Sequence, residues 1–133
     1  MKTVAIIPAR GNSERIKNKN IINFFGKPII YWPIRNAKKT NLFKKIIVST
    51  DNKKIARISK YYGAEVPFIR PKKISDNKTG ILKVIKHSIK ILEKKKIKFK
   101  YICCIFATAP LLDKKILYSA YRKLLKGKYD FVF

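Results

Sequence analysis

Residues 3–21 read TVAIIPARGNSERIKNKNI, and the change of chemistry inside this stretch decides the fold. The opening run 3–8 is compact and apolar, the signature of a short strand buried in a sheet. The chain then turns polar and basic. Arg10, Arg15, Lys17 and Lys19 crowd a loop that also carries Gly11, Ser13 and Asn20. A triphosphate needs nearby cations, hydroxyl or amide donors, and a backbone able to approach closely, and this loop supplies all three. Its glycine pattern matches neither the dinucleotide fingerprint nor the Walker A loop. On chemistry alone it reads either as a phosphate site or as a solvated charged surface.

Outward from that loop, short apolar runs alternate with helical patterns. Gly26-Lys27-Pro28 predicts a turn that opens a helix towards Lys39, with Pro28 at the first helical position and Pro33 marking a late start or a kink. Residues 45–50, KIIVST, predict a second strand. Asp51 then reads as a helix N-cap, with Ile55, Ile58 and Tyr62 on one buried face and Gly63 as the stop. A short strand over 66–69 precedes a loop rich in Pro, Lys and Asp. The helix predicted over 79–95 carries Leu82, Ile85, Ile89 and Leu92 as its apolar stripe. Residues 101–107, YICCIFA, suit a central parallel strand covered on both faces. Leu117, Ala120, Tyr121, Leu124 and Leu125 mark a helix ending near Gly127, and 129–133 begin another strand.

This alternation implies βαβ units, hence an α/β protein with a mainly parallel sheet and one unit over 1–133. The loops after Pro8, Thr50, Ile69 and Ala107 would share one rim, beyond the carboxyl ends of the strands. The last strand has no helix after it, so a C-terminally incomplete fold is expected.

Composition bounds the partners. A hydrophobic fraction of 47% over 133 residues supports a packed core and excludes disorder. The balance of 33 Lys+Arg against 7 Asp+Glu gives a net charge of +26. That field suits polyanions, yet the lysines run through every segment, as on a solvated surface. No apolar run reaches membrane-span length and MKTVAIIPAR is too short for a signal peptide, so a cytoplasmic protein without a membrane partner is expected. Cys103 and Cys104 are neighbours that a strand would point to opposite faces, so two reduced thiols in a buried strand are expected, and their spacing suggests no zinc site. His87, Tyr61 and Tyr62 read as structural. Asp76 and Asn77 read as turn or capping residues, and Arg70 as either a surface cation or a rim group.

The order of residues adds what chemistry alone leaves open. IIPARGNSERIKNKN resembles the IPARxGSKxxxxKN signature of the sialic acid and related cytidylyltransferases. GKPIIYW, VSTDNKKIA, YGAEVPFIRP, SDNKTG and CCIFATAPLL resemble successive further blocks, those of the pseudaminic acid cytidylyltransferases in particular. The likeness covers the chain but only roughly the first half to two-thirds of a typical member. It implies a three-layer, Rossmann-like nucleotidyltransferase fold. It also implies transfer of CMP from CTP to a nonulosonic acid, an acidic nine-carbon sugar, with Mg²⁺ and release of pyrophosphate. CMP-sugars of this kind feed surface glycan synthesis.

Residue by residue, the resemblance gives Arg10 and Lys19 the triphosphate as catalytic groups, Ser13 a donor role, and Asn20, Arg70 and Thr79 nucleotide contacts. Phe106 and Thr108 fall in the block that meets the sugar. Phe106 stands where sialic acid synthetases carry glutamine, which favours pseudaminic acid, although a core role for this ring is equally open. Glu14 departs from a usually basic position, with Arg15 able to compensate, and Ile81 replaces a hydroxyl found in many relatives. The seven acids form no convincing pair on the rim, and the resemblance implies that the Mg²⁺ ligands lie beyond Phe133, as does the element that makes family members homodimers. Two alternatives stand beside this reading: a sialic, legionaminic or 3-deoxy-sugar cytidylyltransferase, and a basic nucleic-acid-binding domain.

Overall fold

A computed structural model describes residues 2–133 and begins with β1, Thr3–Pro8, the predicted first strand. A hairpin follows, made of β2 (Asn23–Phe24) and β3 (Lys27–Pro28), then helix α1 (Tyr31–Thr40), β4 (Phe43–Ser49) and α2 (Lys53–Tyr61). After a long loop come α3 (Ile81–Lys94), β5 (Tyr101–Cys104) and α4 (Lys114–Leu125). The main sheet runs in the order β4-β1-β5, with both pairings parallel.

The period-two alternation of β1 sorts the core into two halves. Ala5 and Ile7 pack with Ile34 and Ala37 of α1, Ile55 of α2 and Leu117 of α4. Val4 and Ile6 pack on the opposite face with Ile47 and with Leu92 of α3. Helices therefore cover both faces, giving the expected three layers with a parallel sheet.

Several local expectations are corrected. Pro28 does not open a helix; it pairs with Asn23 in the hairpin, whose turn residues Phe25 and Gly26 have φ of +49° and +77°. Positive φ at both positions is the geometry that two-residue hairpin loops favour. The helix starts late, at Tyr31, so Pro33 lies in its first turn, where a missing N–H breaks no helical bond. The cap of α2 is Asn52, whose side chain accepts from Lys54 N and Ile55 N at 2.9 and 3.0 Å, and not Asp51.

The strand expected over 66–69 reduces to one parallel bridge between Ile47 and Glu65. Pro67 lacks the N–H needed to extend that ladder. Residues 101–107 give the shorter β5, which lies at a sheet edge with Cys104 exposed and Cys103 half-buried, not in a central covered strand. On α3 the buried positions are Val84, Ser88 and Leu92, while Leu82 is 69% exposed. Ser88 fits the buried stripe because its hydroxyl donates to Val84 O at 3.0 Å, an arrangement that an apolar count overlooks. Tyr61 is exposed, only Tyr62 packs on the core, and Leu125 faces outward. Residues 129–133 form no strand.

Leu92 is the fully buried anchor of α3 on the second face of the sheet. Leu92→Ala is expected to lower stability by about 2–5 kcal/mol through lost burial and a cavity. A urea midpoint that falls with an unchanged slope would show it; an unmoved midpoint would mean that α3 is held elsewhere.

Candidate functional site

The loop after β1 is fixed by its backbone as much as by its charges. Ala9 N continues the sheet by donating to Ser49 O at 2.8 Å, and Gly11 N donates to the Asp51 carboxylate at 2.7 Å. A Cβ on Gly11 would lie 2.7 Å from Asn52 Cβ, so only glycine lets the loop lie this close to the cap of α2. Asn20 is buried and donates its amide to Arg10 O at 2.8 Å, which closes the loop behind the arginine. The resemblance gave Asn20 a nucleotide contact; here its Nδ2 is committed to the loop itself.

Arg70 is the most unusual group of the rim. Its backbone N donates to Thr50 O at 2.7 Å, placing it at the end of β4, and only 3% of the residue is exposed. Its Nε donates to Ser75 Oγ at 3.1 Å, and Ser75 in turn donates to Pro71 O at 2.8 Å. Among the described residues no carboxylate forms an ion pair with it; Lys45 and Glu65, 2.7 Å apart, are the pair that does form. Burial lowers the guanidinium pKa, Asp51 pulls it back up, and Arg10 lowers it further. An arginine remains charged through such shifts, so the rim holds a desolvated cation whose terminal nitrogens have no hydrogen-bonded protein partner among the described residues.

Three of the four expected loops meet around a cavity of about 270 Å³ lined by Arg10, Lys19, Asn20, Arg70, Thr79, Phe106 and Thr108. The loop after Thr50 contributes from behind, through Asp51. Ser13 is not on the cavity wall. Phe106 is 60% exposed, which rules out the core reading of this ring. Asp76 accepts from Thr79 N and Thr79 Oγ1 at 2.7 and 2.6 Å and from Lys78 N, so it is a turn residue, and the Thr79 bonds hold its pKa below the usual carboxylate range. Glu14 accepts from Asn77 Nδ2, tying the first loop to the third and engaging the one acid in that basic segment. No group of three His, Cys, Asp or Glu side chains able to hold a metal occurs among the described residues.

Sequence reasoning missed Asp51 and Ser75 as parts of this site. Asp51 directly follows a strand end, a rim position, but capping offered an equally simple explanation. Ser75 carried no signal. Its role depends on a turn that brings it back to Arg70.

His87, expected to be structural, packs against a neighbouring ring. It lies edge-on to Phe68 with centroids 5.1 Å apart, and its buried Nδ1 has no partner. Burial, then Arg70 and Lys73, lower its pKa.

A parallel sheet with cations gathered at its carboxyl edge defines an α/β protein of the kind that takes anionic ligands there. The family model described as cytidylyltransferase matches residues 4–133, and the chain belongs to that family. It is 42% identical over 133 residues to a pseudaminic acid cytidylyltransferase of Campylobacter jejuni, covering 100% of this chain and 57% of that protein. The chain thus spans a little over half the length of this curated relative.

Solved structures share the fold. A CMP:2-keto-3-deoxy-manno-octonic acid synthetase complexed with CTP superposes with a TM-score of 0.76 at 18% identity, over 95% of this chain and 48% of that one. A cytidylyltransferase from Leptospira borgpetersenii gives 0.75 at 21% identity, over 96% of this chain and 50% of that one.

Two outcomes follow from the geometry. Gly11→Ala forces the loop off Asn52 and is expected to cost about 1–3 kcal/mol, measurable as a lowered urea midpoint. An unchanged midpoint would show that the loop shifts freely. His87 has its pKa lowered by folding, so the unfolded chain takes up the proton first as the pH falls. Stability is therefore complete above the ordinary imidazole pKa and is lost as the pH drops through it towards the folded value. His87→Gln should flatten that part of the curve, which begins as the pH falls through about 6.5. A curve as steep as the wild type's would place the effect on other groups.

Proposed function

We propose that the rim binds the triphosphate of CTP, and that the protein transfers CMP to a nonulosonic acid, pseudaminic acid in the first instance, with release of pyrophosphate. The observation that carries this reading is Arg70: a buried, unpaired guanidinium facing a cavity with two further cations wants an anion of several charges. The 42% identity to a pseudaminic acid cytidylyltransferase supports both the nucleotide and the sugar. Legionaminic acid enzymes also lie among the relatives, at 35% and 39% identity over 85 and 83 residues, as do sialic acid enzymes, at 36% over 90 and 129 residues, so pseudaminic acid rests on the higher identity.

In this reading the sugar hydroxyl attacks the α-phosphorus and the β,γ-pyrophosphate leaves. Arg10, Lys19 and Arg70 neutralise the charge that develops on the phosphate oxygens. Because Arg70 is desolvated before the nucleotide arrives, its interaction with that charge is stronger than that of an exposed cation. Asn20 and Asp51 act behind them by holding the Arg10 and Gly11 backbone. Phe106 gives the sugar an apolar surface beside the Thr108 hydroxyl.

Titration of CTP into the wild type and into Arg10→Ala and Arg70→Ala is the test, with melting curves to confirm folding. A loss of affinity of about tenfold or more is expected for each. Folded variants that bind CTP as the wild type does would remove the triphosphate from this rim. CMP transfer to N-acetylneuraminic acid but not to pseudaminic acid would overturn the choice of sugar.

A further inference from the structure

A second region of unusual chemistry lies on the hairpin side, and its groove shares no residue with the rim cavity. Six aromatic rings run in unbroken succession across it. Phe25 meets Phe24 at 4.8 Å between centroids, Phe24 meets Trp32 at 6.4 Å, and Trp32 meets Tyr31 at 5.1 Å. Tyr31 meets Tyr62 at 4.7 Å and Tyr62 meets Tyr61 at 5.0 Å. The two ends of this run, Phe25 and Tyr61, are each 83% exposed.

Cations are interleaved with the rings. Lys27 Nζ lies 5.9 Å from the Tyr31 centroid and Arg35 lies 5.6 Å from that of Trp32. Lys54 and Arg57 border the groove beside Tyr61 and Tyr62, and no acid lines it.

Phe25 is held outward by design of the turn. Its φ of +49° is a left-handed conformation that a bulky side chain rarely adopts. Three bonds fix the hairpin around it: Gly26 N to Asn23 Oδ1 at 3.0 Å, Ile29 N to Ile22 O at 2.8 Å, and Trp32 Nε1 to Phe24 O at 2.9 Å. An apolar ring at the tip of a braced hairpin, above amphipathic rings and cations, matches the boundary between acyl chains and anionic headgroups.

Other occupants fit less well. The rings meet one another at 59–82°, so they form no parallel platform for stacked bases. A second copy would bring another net +26 and the same cations against this face. We propose that the hairpin face docks peripherally on an anionic lipid surface, with Phe25 inserted, Trp32 and the tyrosines at headgroup level, and Lys27, Arg35, Lys54 and Arg57 on the phosphates. The sequence led to the opposite expectation, of no membrane partner. Surface docking needs no spanning helix, and no helix among the described residues is long and apolar enough to be one.

The test is co-sedimentation of the whole chain with phosphatidylcholine vesicles, with and without phosphatidylglycerol. Binding is expected only when the anionic lipid is present, with Trp32 fluorescence quenched by brominated acyl chains. Phe25→Asn keeps the turn, because asparagine tolerates positive φ, and removes the ring. It should weaken vesicle binding about tenfold while CTP binding and melting stay unchanged. Tyr61→Ser should weaken it as well. Vesicle binding equal to wild type in both variants would mean that net charge alone attracts the lipid, and the proposal fails. It fails equally if a single-stranded oligonucleotide, and not the vesicle, depends on the two rings.

Discussion

β1 is covered on every side. β4 and β5 bond its two edges, α1, α2 and α4 cover the face of Ala5 and Ile7, and α3 covers the face of Val4 and Ile6. Such a strand has no freedom to slip, because a shift by one residue would exchange its two faces. Its carboxyl end is therefore a fixed point. The rim loops are measured from it: Ala9 by its bond to Ser49, Gly11 by its bond to Asp51, and Arg70 by its bond to Thr50 at the end of the neighbouring strand. The placement of cations to within hydrogen-bond tolerance begins with the burial of five of the six residues of β1.

That placement allows an arginine to be buried without an ion pair. A desolvated charge is costly unless something compensates it. Here Ser75 takes one N–H and Asp51 supplies a more distant opposite charge, as the opposing shifts on Arg70 show. The compensation is partial. The remaining demand is directed into the cavity shared with Arg10 and Lys19. The geometry is thus organised before any anion arrives, which limits the reorganisation that binding requires.

Much of this was legible in the sequence, for reasons that can be named. The apolar runs mark the strands and parallel strands imply a shared rim, and Arg10, Lys19, Arg70, Thr79, Phe106 and Thr108 do line one cavity. Two of the errors share one cause, local chemistry with two good uses. Asp51 could cap a helix, but Asn52 does so and leaves Asp51 to the loop. Pro28 could open a helix, but the Phe25-Gly26 turn claims it for a hairpin. The run 101–107 looked central because it is apolar, whereas residues 105–107 leave the strand to carry Phe106 to the rim.

The outer side of β5 has a further consequence. It pairs with β1 along one edge only, and its other edge adjoins an apolar groove of about 500 Å³ walled by Leu117, Tyr121 and Leu124 of α4. Unpaired strand edges beside apolar surface are templates for intermolecular sheet growth. What opposes such growth between copies of this chain is mutual repulsion, since each carries +26. Its colloidal stability is consequently tied to ionic strength: as added salt shortens the reach of the charges, the same edge passes from harmless to adhesive.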